Sequence, residues 1–179
     1  MIWLSNSTLA RLRDQLRTRG QRPSIALTDA PSTSPEDAAY AMVVAEYGPL
    51  SEAMYLMMSA DGTISAEERE VLKGALRNLS GDEIRSVHIE AMLDAAAKKV
   101  KDDGPAKRLE EVIHALHEDP ARCEVTFVLA AAIAFADSAV ADEENDLLNQ
   151  MAEGFGIDEA RANELLDSVE QDLGSQTKS

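Results

Sequence analysis

Residues 60–72 read Ala60-Asp61-Gly62-Thr63-Ile64-Ser65-Ala66-Glu67-Glu68-Arg69-Glu70-Val71-Leu72. Residues 136–148 read Ala136-Asp137-Ser138-Ala139-Val140-Ala141-Asp142-Glu143-Glu144-Asn145-Asp146-Leu147-Leu148. In both stretches an apolar helical run leads into an Ala-Asp pair, and two glutamates follow the aspartate after six and seven residues. The repeat predicts a duplicated helix-turn-helix unit. We call residues 60–68 the first acidic turn and residues 136–144 the second acidic turn.

The whole chain has the sequence pattern of a helical protein. Glycine is confined to predicted boundaries, and no stretch alternates apolar and polar residues as a half-buried strand would. Ser34-Pro35 and Asp119-Pro120 are typical helix starts, Gly48-Pro49 predicts a helix end, and Ser80 with Glu83 predicts another start. The predicted fold is all-α, a single-domain bundle of about seven to eight helices with an internal pseudo-two-fold repeat.

Residues 1–35 differ in composition from the rest. Leu4, Leu9, Leu12 and Leu16 recur at near-helical spacing among five arginines, and a Pro- and Ser-containing stretch follows. We expect a basic amphipathic segment and a flexible linker over 1–35, a helical domain over 36–175 and a disordered tail over 176–179. The arginines and Trp3 suit an anionic membrane surface; a short dimerising or disordered segment is the alternative.

The composition limits the classes of ligand that the protein can bind and indicates its compartment. The net charge of −16 argues against nucleic acid, which needs clustered Lys and Arg, and favours cations or basic partners. The single cysteine, Cys123, allows no intramolecular disulfide, and the first residues do not resemble a secretory signal. The longest apolar run is shorter than a bilayer requires. We therefore expect a cytoplasmic protein without a transmembrane segment.

The acidic turns place carboxylates at helix ends. Carboxylate and carbonyl oxygens are the ligands of Ca²⁺, and the first turn matches the second half of an EF-hand loop. Met57 and Ile133 stand where the first EF-hand aspartate is needed, so two half-motifs that pool their oxygens are a better hypothesis. The alternative is structural, because Asp-Gly favours turns and Ser65 with Glu68 forms a capping box. The turn residues differ between the copies while the carboxylates recur, which favours the metal hypothesis.

Residues 36–173 resemble the TerB-like tellurite-resistance family, whose domains carry two Ala-Asp-Gly-x-hydrophobic-x-x-x-Glu elements. The matching stretches are Met57-Met58-Ser59-Ala60-Asp61-Gly62-Thr63-Ile64-Ser65-Ala66-Glu67-Glu68 and Ala134-Phe135-Ala136-Asp137-Ser138-Ala139-Val140-Ala141-Asp142-Glu143-Glu144. Ser138 departs from the family pattern, which has glycine there.

The resemblance implies a non-enzymatic stress-response protein that binds a divalent cation, calcium in the first instance. The residues carried over by position are Asp61, Glu68, Asp137 and Glu144, with Glu67 and Glu143 adjacent. It also implies a protein partner and a cytoplasmic location, peripheral to the inner face of the membrane if that partner is membrane-associated. A metal-free helical adaptor that presents the acidic face to a basic partner is the alternative.

Two other groups of residues could form a binding site. His114 and His117, with Cys123 following, could ligate a transition metal, but surface histidines are the better interpretation. Met54, Met57 and Met58 could line a binding groove, but a core position is commoner. Because the sequence contains no nucleophile, P-loop or dinucleotide motif, we do not expect an enzyme.

Overall fold

The computed structural model describes residues 4–18, 35–62, 64–136 and 140–176. This part of the chain forms eight α-helices and no strand: α1 (Asn6–Thr18), α2 (Pro35–Met58), α3 (Ala66–Ser80), α4 (Ser86–Asp103), α5 (Pro105–Leu116), α6 (Pro120–Ala134), α7 (Asp142–Gly154) and α8 (Glu159–Gln176). The predicted all-α fold is confirmed. The pseudo-two-fold relation between the two halves stays a prediction.

Helix α6 lies at the centre of the bundle. All ten residues from Val125 to Ala134 are buried, and the helix contacts α1, α2, α5, α7 and α8. A helix that is apolar on all sides needs such a set of neighbours. Its buried hydroxyl, Thr126 Oγ1, donates to the carbonyl of Arg122 at 2.7 Å. Although α6 is strongly apolar, none of the helices in the described ranges is long and apolar enough to cross a membrane.

Helix α2 is continuous through Gly48-Pro49, so the predicted break is wrong. A proline inside a helix costs about 3 kcal/mol, because it removes one backbone hydrogen bond and crowds the preceding turn. Burial of Leu50 and Met54, both fully inaccessible, contributes about 1.5–3 kcal/mol each. Packing therefore outweighs the local preference for a break. Met57 and Met58 are also buried, which confirms the core position of the three methionines.

Ser80 ends a helix, whereas the sequence pattern predicted that it begins one. Its hydroxyl donates to the carbonyl of Arg77 at 2.9 Å and accepts from the N–H of Ile84 at 3.4 Å. Gly81 has φ 65°, and the N–H of Asp82 bonds the carbonyl of Arg77 at 3.0 Å, which closes the end of α3. Helix α4 therefore starts later, at Ser86.

The predicted N-terminal helix forms as α1, and its leucines lie in the core of the bundle. Leu4, Leu9 and Leu12 are buried, and α1 packs on α3 and α6. Ser5 joins α1 to α8, because its backbone N–H and its hydroxyl donate to the two carboxylate oxygens of Asp172 at 3.1 and 3.0 Å. The apolar face of α1 is thus covered within the chain. The linker was predicted from Gly20 to Pro35 and the tail over 176–179. Pro35 begins α2 and Gln176 ends α8, while residues 20–34 and 177–179 lie outside the described residues.

Candidate functional site

The first acidic turn is a tight connection between α2 and α3. The N–H of Gly62 donates to the carbonyl of Ser59 at 3.0 Å. Gly62 has φ 143°, a conformation that a residue with a Cβ rarely adopts. Asp61 is exposed at the tip, and its carboxylate makes no hydrogen bond or ion pair with another described residue.

Ser65 and Glu68 form a complete capping box at the start of α3. The N–H of Glu68 donates to Ser65 Oγ at 3.2 Å, and the N–H of Ser65 donates to Glu68 Oε2 at 2.7 Å. Two of the N–H groups at the helix start are therefore satisfied by side chains. The capping box predicted from the sequence is confirmed.

The second acidic turn repeats half of this arrangement. The N–H of Ala141 donates to Glu144 Oε2 at 2.8 Å, but Ala141 has no side-chain acceptor to return the bond. Its backbone angles, φ −70° and ψ 154°, are close to the −70° and 164° of Ser65. Asp137 and Ser138 lie outside the described residues, so the geometry of this turn is described from Val140 onward.

These contacts explain why a glutamate recurs at the same place in both copies. Glu68 and Glu144 each cap the helix on which they stand, whatever else they bind. The recurrence of these two carboxylates is therefore weaker support for a metal site than the sequence suggested. Glu68 keeps a second carboxylate oxygen that the cap does not use. Glu67 and Glu143, the adjacent residues, point to solvent and make no such bond with the described residues.

Both turns border the same groove, of about 500 Å³, between α2, α4, α5 and α7. The first turn contributes Ala60 and Gly62, and the second contributes Glu143. The remaining lining residues are Tyr55, Leu56, Ser59, Ala97, Val100, Lys101, Pro105, Ala106, Leu109, Leu147 and Gln150. The two turns, far apart in sequence, thus flank one concave surface with mostly apolar walls.

The oxygen donors at this groove suit a hard cation, but the described donors do not form a complete coordination sphere. Within the ranges that the structure describes, no three side chains of His, Cys, Asp or Glu are grouped so that they could hold a metal ion. Asp137 is not among the side chains considered, since it lies outside those ranges. The donor chemistry therefore fits calcium, and the number of described ligands falls short of the 6–8 oxygens that calcium takes.

His114 and His117 are exposed on α5, with ring centroids 5.4 Å apart. Cys123 is buried, and its thiol donates to the carbonyl of Leu116 at 3.1 Å. Burial first, and the negative charge of Asp119 second, raise the pKa of the Cys123 thiol to about 11. Because a thiolate is the metal ligand, this cysteine is poorly suited to join the two histidines. The interpretation of His114 and His117 as surface residues agrees with this geometry.

A buried ion pair near the groove was missed by sequence reasoning. Glu52, on α2, has a side chain only 6% exposed and accepts from Arg108 Nε at 2.6 Å and from Lys99 Nζ at 3.3 Å. The hydrogen bond to Glu52 is the main reason why the pKa of Arg108 lies above its usual value. The pair ties α2 to α4 and α5 one turn before Tyr55. The only sequence signal was that Glu52 is an acidic residue inside an apolar helical run. The sequence does not identify the residues that pair with it.

The sequence model of the tellurite resistance protein TerB matches residues 49–167, about two thirds of the chain. The chain belongs to the TerB family. The TerB match spans both acidic turns and every residue that lines the groove, whereas α1 and residues 35–48 of α2 precede it. Comparison with curated proteins and with solved structures gives no match.

Proposed function

We propose that this TerB-family protein is a non-enzymatic stress-response protein of the tellurite-resistance type, and that it binds calcium or a similar divalent cation between its two acidic turns. The observation that carries the proposal is the common groove, which Gly62 and Glu143 border from opposite turns. A cation held there would connect two helix-turn-helix units through carboxylate oxygens.

The chain supplies suitable ligands on both sides of the groove. Asp61 and Glu67 from the first turn, and Glu143 from the second, are exposed carboxylates without a protein partner among the described residues. Glu68 and Glu144 are the further carboxylates of the two turns, and Asp137 would complete the second turn. Because the described carboxylates form no group of three, we expect an affinity closer to that of extracellular calcium modules, about 10⁻⁴–10⁻³ M, than to that of sensors.

Calorimetry with calcium tests this proposal. The Asp61→Asn/Asp137→Asn variant should lose the heat of binding and any thermal stabilisation by millimolar calcium. A Glu110→Gln/Glu111→Gln variant is the matched control, since it also removes two exposed negative charges, on α5 and away from the groove. Equal responses in all three proteins, or no response in the wild type, would exclude the pooled site.

The alternative is a metal-free adaptor for a basic protein partner, and one observation favours it. The groove has apolar walls from Leu56, Val100 and Leu147, and Glu143 stands beside them. An apolar surface with an adjacent carboxylate suits a basic amphipathic segment. A membrane-associated partner of this kind would place the protein at the cytoplasmic face of the membrane.

The adaptor function predicts partner capture that weakens with salt and survives chelation. Capture from a lysate should be compared with and without EDTA at low and high ionic strength. Leu147→Glu, which puts a charge on the groove wall, should abolish capture, while Val87→Glu, at the exposed start of α4 and outside the groove, should not. Loss of capture in EDTA alone would instead support the cation-dependent function.

A further inference from the structure

Helix α1 is a basic amphipathic helix whose charge is opposite to that of the rest of the chain. Residues 1–22 contain five arginines and one aspartate, a net charge of +4, which leaves −20 for the remaining residues. Successive residues of a helix are about 100° apart, so Leu9, Leu12 and Leu16 fall within about 60° of one another around the axis. Basic charge beside such an apolar stripe is typical of a helix that lies in the surface of an anionic membrane.

In the fold, this apolar stripe is covered. Leu9 and Leu12 are buried against the bundle, and Arg11, on the exposed side of α1, lines the same groove as Glu124 of α6. Ser5 holds the start of α1 to Asp172 of α8 through two hydrogen bonds of 3.1 and 3.0 Å. In this docked position α1 offers a membrane little apolar surface, and a carboxylate shares the groove with its arginine.

The contact between α1 and the bundle is incomplete. A groove of about 860 Å³ lies between α1 and the start of α6, and a pocket of about 240 Å³ lies between α1, α6 and α8. Protein interiors contain few voids larger than a water molecule, so these spaces are packing contacts that α1 does not make. Arg13 Nε is buried without a hydrogen bond to a described residue, and Asp14 Oδ1 is 4.0 Å away. An unsatisfied buried group of this kind destabilises the docked position.

The connection from α1 to α2 is long enough for α1 to leave the bundle. Residues 19–34, which lie between Thr18 and Pro35, number 16. A chain spans at most about 3.3–3.6 Å per residue, so this connection can reach about 55 Å at most. The TerB match begins at residue 49, so the family unit does not include α1.

We propose that α1 is a membrane-binding helix that the fold keeps covered, and that it leaves the bundle to bind an anionic lipid surface. The rest of the chain, at −20, is repelled by such a surface, but charges are screened beyond about 8 Å at physiological salt. With a connection of up to about 55 Å, the released helix lies in the membrane while the acidic bundle stays beyond the screening length. This binding requires neither a cation in the groove nor a protein partner.

Vesicle binding followed by the fluorescence of Trp3, the only tryptophan of the chain, tests the proposal. In EDTA, the full chain should bind vesicles of equal parts phosphatidylglycerol and phosphatidylcholine with a blue shift of the emission, and salt should weaken this binding. Pure phosphatidylcholine vesicles, and inorganic phosphate without a bilayer, should give no shift. Arg11→Gln should weaken binding about fivefold, which is the contribution of one arginine at an anionic surface. Arg85→Gln is the matched control, since Arg85 is also exposed but precedes α4.

Release of α1 is tested by a change on α8. Asp172→Ala removes the acceptor of both Ser5 hydrogen bonds and leaves the sequence of α1 intact, so it should strengthen vesicle binding about tenfold. Asp167→Ala is the matched control, because it removes the same charge from an exposed position of α8 that makes no recorded bond with a described residue. Equal vesicle binding by these two variants overturns the proposal.

Two further results would also overturn it. One is a wild type that binds neither kind of vesicle, or both kinds equally. The other is an Arg11→Gln variant that binds anionic vesicles as tightly as Arg85→Gln does. This second comparison holds even if Asp172→Ala fails to fold, because both arginines are exposed.

Discussion

Glu144 accepts a hydrogen bond from the backbone N–H of Ala141 at 2.8 Å, the same contact that Glu68 makes with Ser65 at 2.7 Å. Both contacts satisfy an N–H group that a helix start leaves without an intrahelical partner. A recurring glutamate in the acidic turns therefore stabilises the helix that follows it even without a ligand. Tests of cation binding must therefore distinguish the capping hydrogen bond of this glutamate from the negative charge that it offers to a cation.

Substitutions of Glu144 make this separation. Glu144→Gln keeps a side-chain oxygen that can accept from Ala141, whereas Glu144→Ala removes it. Loss of a cap costs about 0.5–2 kcal/mol, so the alanine variant should unfold at lower urea and the glutamine variant should differ by less than about 0.5 kcal/mol. Urea denaturation followed by circular dichroism measures both. Equal destabilisation by the two substitutions would show that the charge, and not the acceptor, stabilises α7.

Ala141→Ser should stabilise the protein. Ala141 already has the backbone angles of Ser65, and what it lacks is the hydroxyl that accepts from the N–H of residue 144. A serine would complete the capping box and raise the free energy of unfolding by about 0.5–2 kcal/mol, while Ser65→Ala should lower it by a similar amount. Opposite shifts in the urea midpoint are expected. A destabilised Ala141→Ser variant would contradict the described geometry of the second turn.

The helices were predictable because their signals are local. Apolar periodicity and the caps at Ser65 and Asp119 identified them, and Asp119 accepts from the N–H of Arg122 at 3.2 Å as an N-cap should. The predicted helix end at Pro49 was wrong because whether a proline ends a helix depends on how deeply the helix is buried. A local sequence pattern does not contain that information. The predicted helix start at Ser80 was wrong because a serine hydroxyl forms local hydrogen bonds to the backbone equally well at the end of a helix.

The candidate site was predictable only in part. The two turns were recognised from their repetition, but the groove that they share arises from long-range packing of α2, α4, α5 and α7. Lys101 and Tyr55 line it without any sequence signal. The capping bond of Glu144 was also missed, because Ala141 lacks the side chain that makes a capping box recognisable.

Leu9→Ala should destabilise the whole domain. Leu9 is 1% exposed in the core between α1 and its neighbours, and removal of such a side chain costs about 2–5 kcal/mol. Arg11→Ala, on the exposed side of the same helix, is the control and should change stability by less than about 0.5 kcal/mol. Thermal unfolding measures both. An unchanged Leu9→Ala variant would mean that α1 is a separate segment, as the predicted boundary at residue 36 implies.

Glu90 should make stability depend on pH in the acid range. It accepts from Lys73 Nζ at 2.6 Å and from Arg69 Nη2 at 2.9 Å, which joins α4 to α3. The hydrogen bond from Lys73 first, and that from Arg69 second, hold the pKa of Glu90 below its ordinary value of 4.5. The unfolded chain therefore binds this proton more readily than the folded chain does. The stabilisation is complete above pH 4.5 and disappears as the pH falls through the folded-state pKa.

Glu90→Gln should consequently melt at a lower temperature than the wild type at pH 7, and the two melting temperatures should converge as the pH falls below 4.5. Glu110→Gln is the matched control, because Glu110 is exposed and has no ion-pair partner among the described residues. Its melting temperature should follow that of the wild type at every pH. Since this acidic chain carries 33 Asp and Glu residues, only the difference between the two variants isolates the contribution of Glu90. A constant difference from pH 7 to pH 3 would show that Glu90 acts through packing and not through its charge.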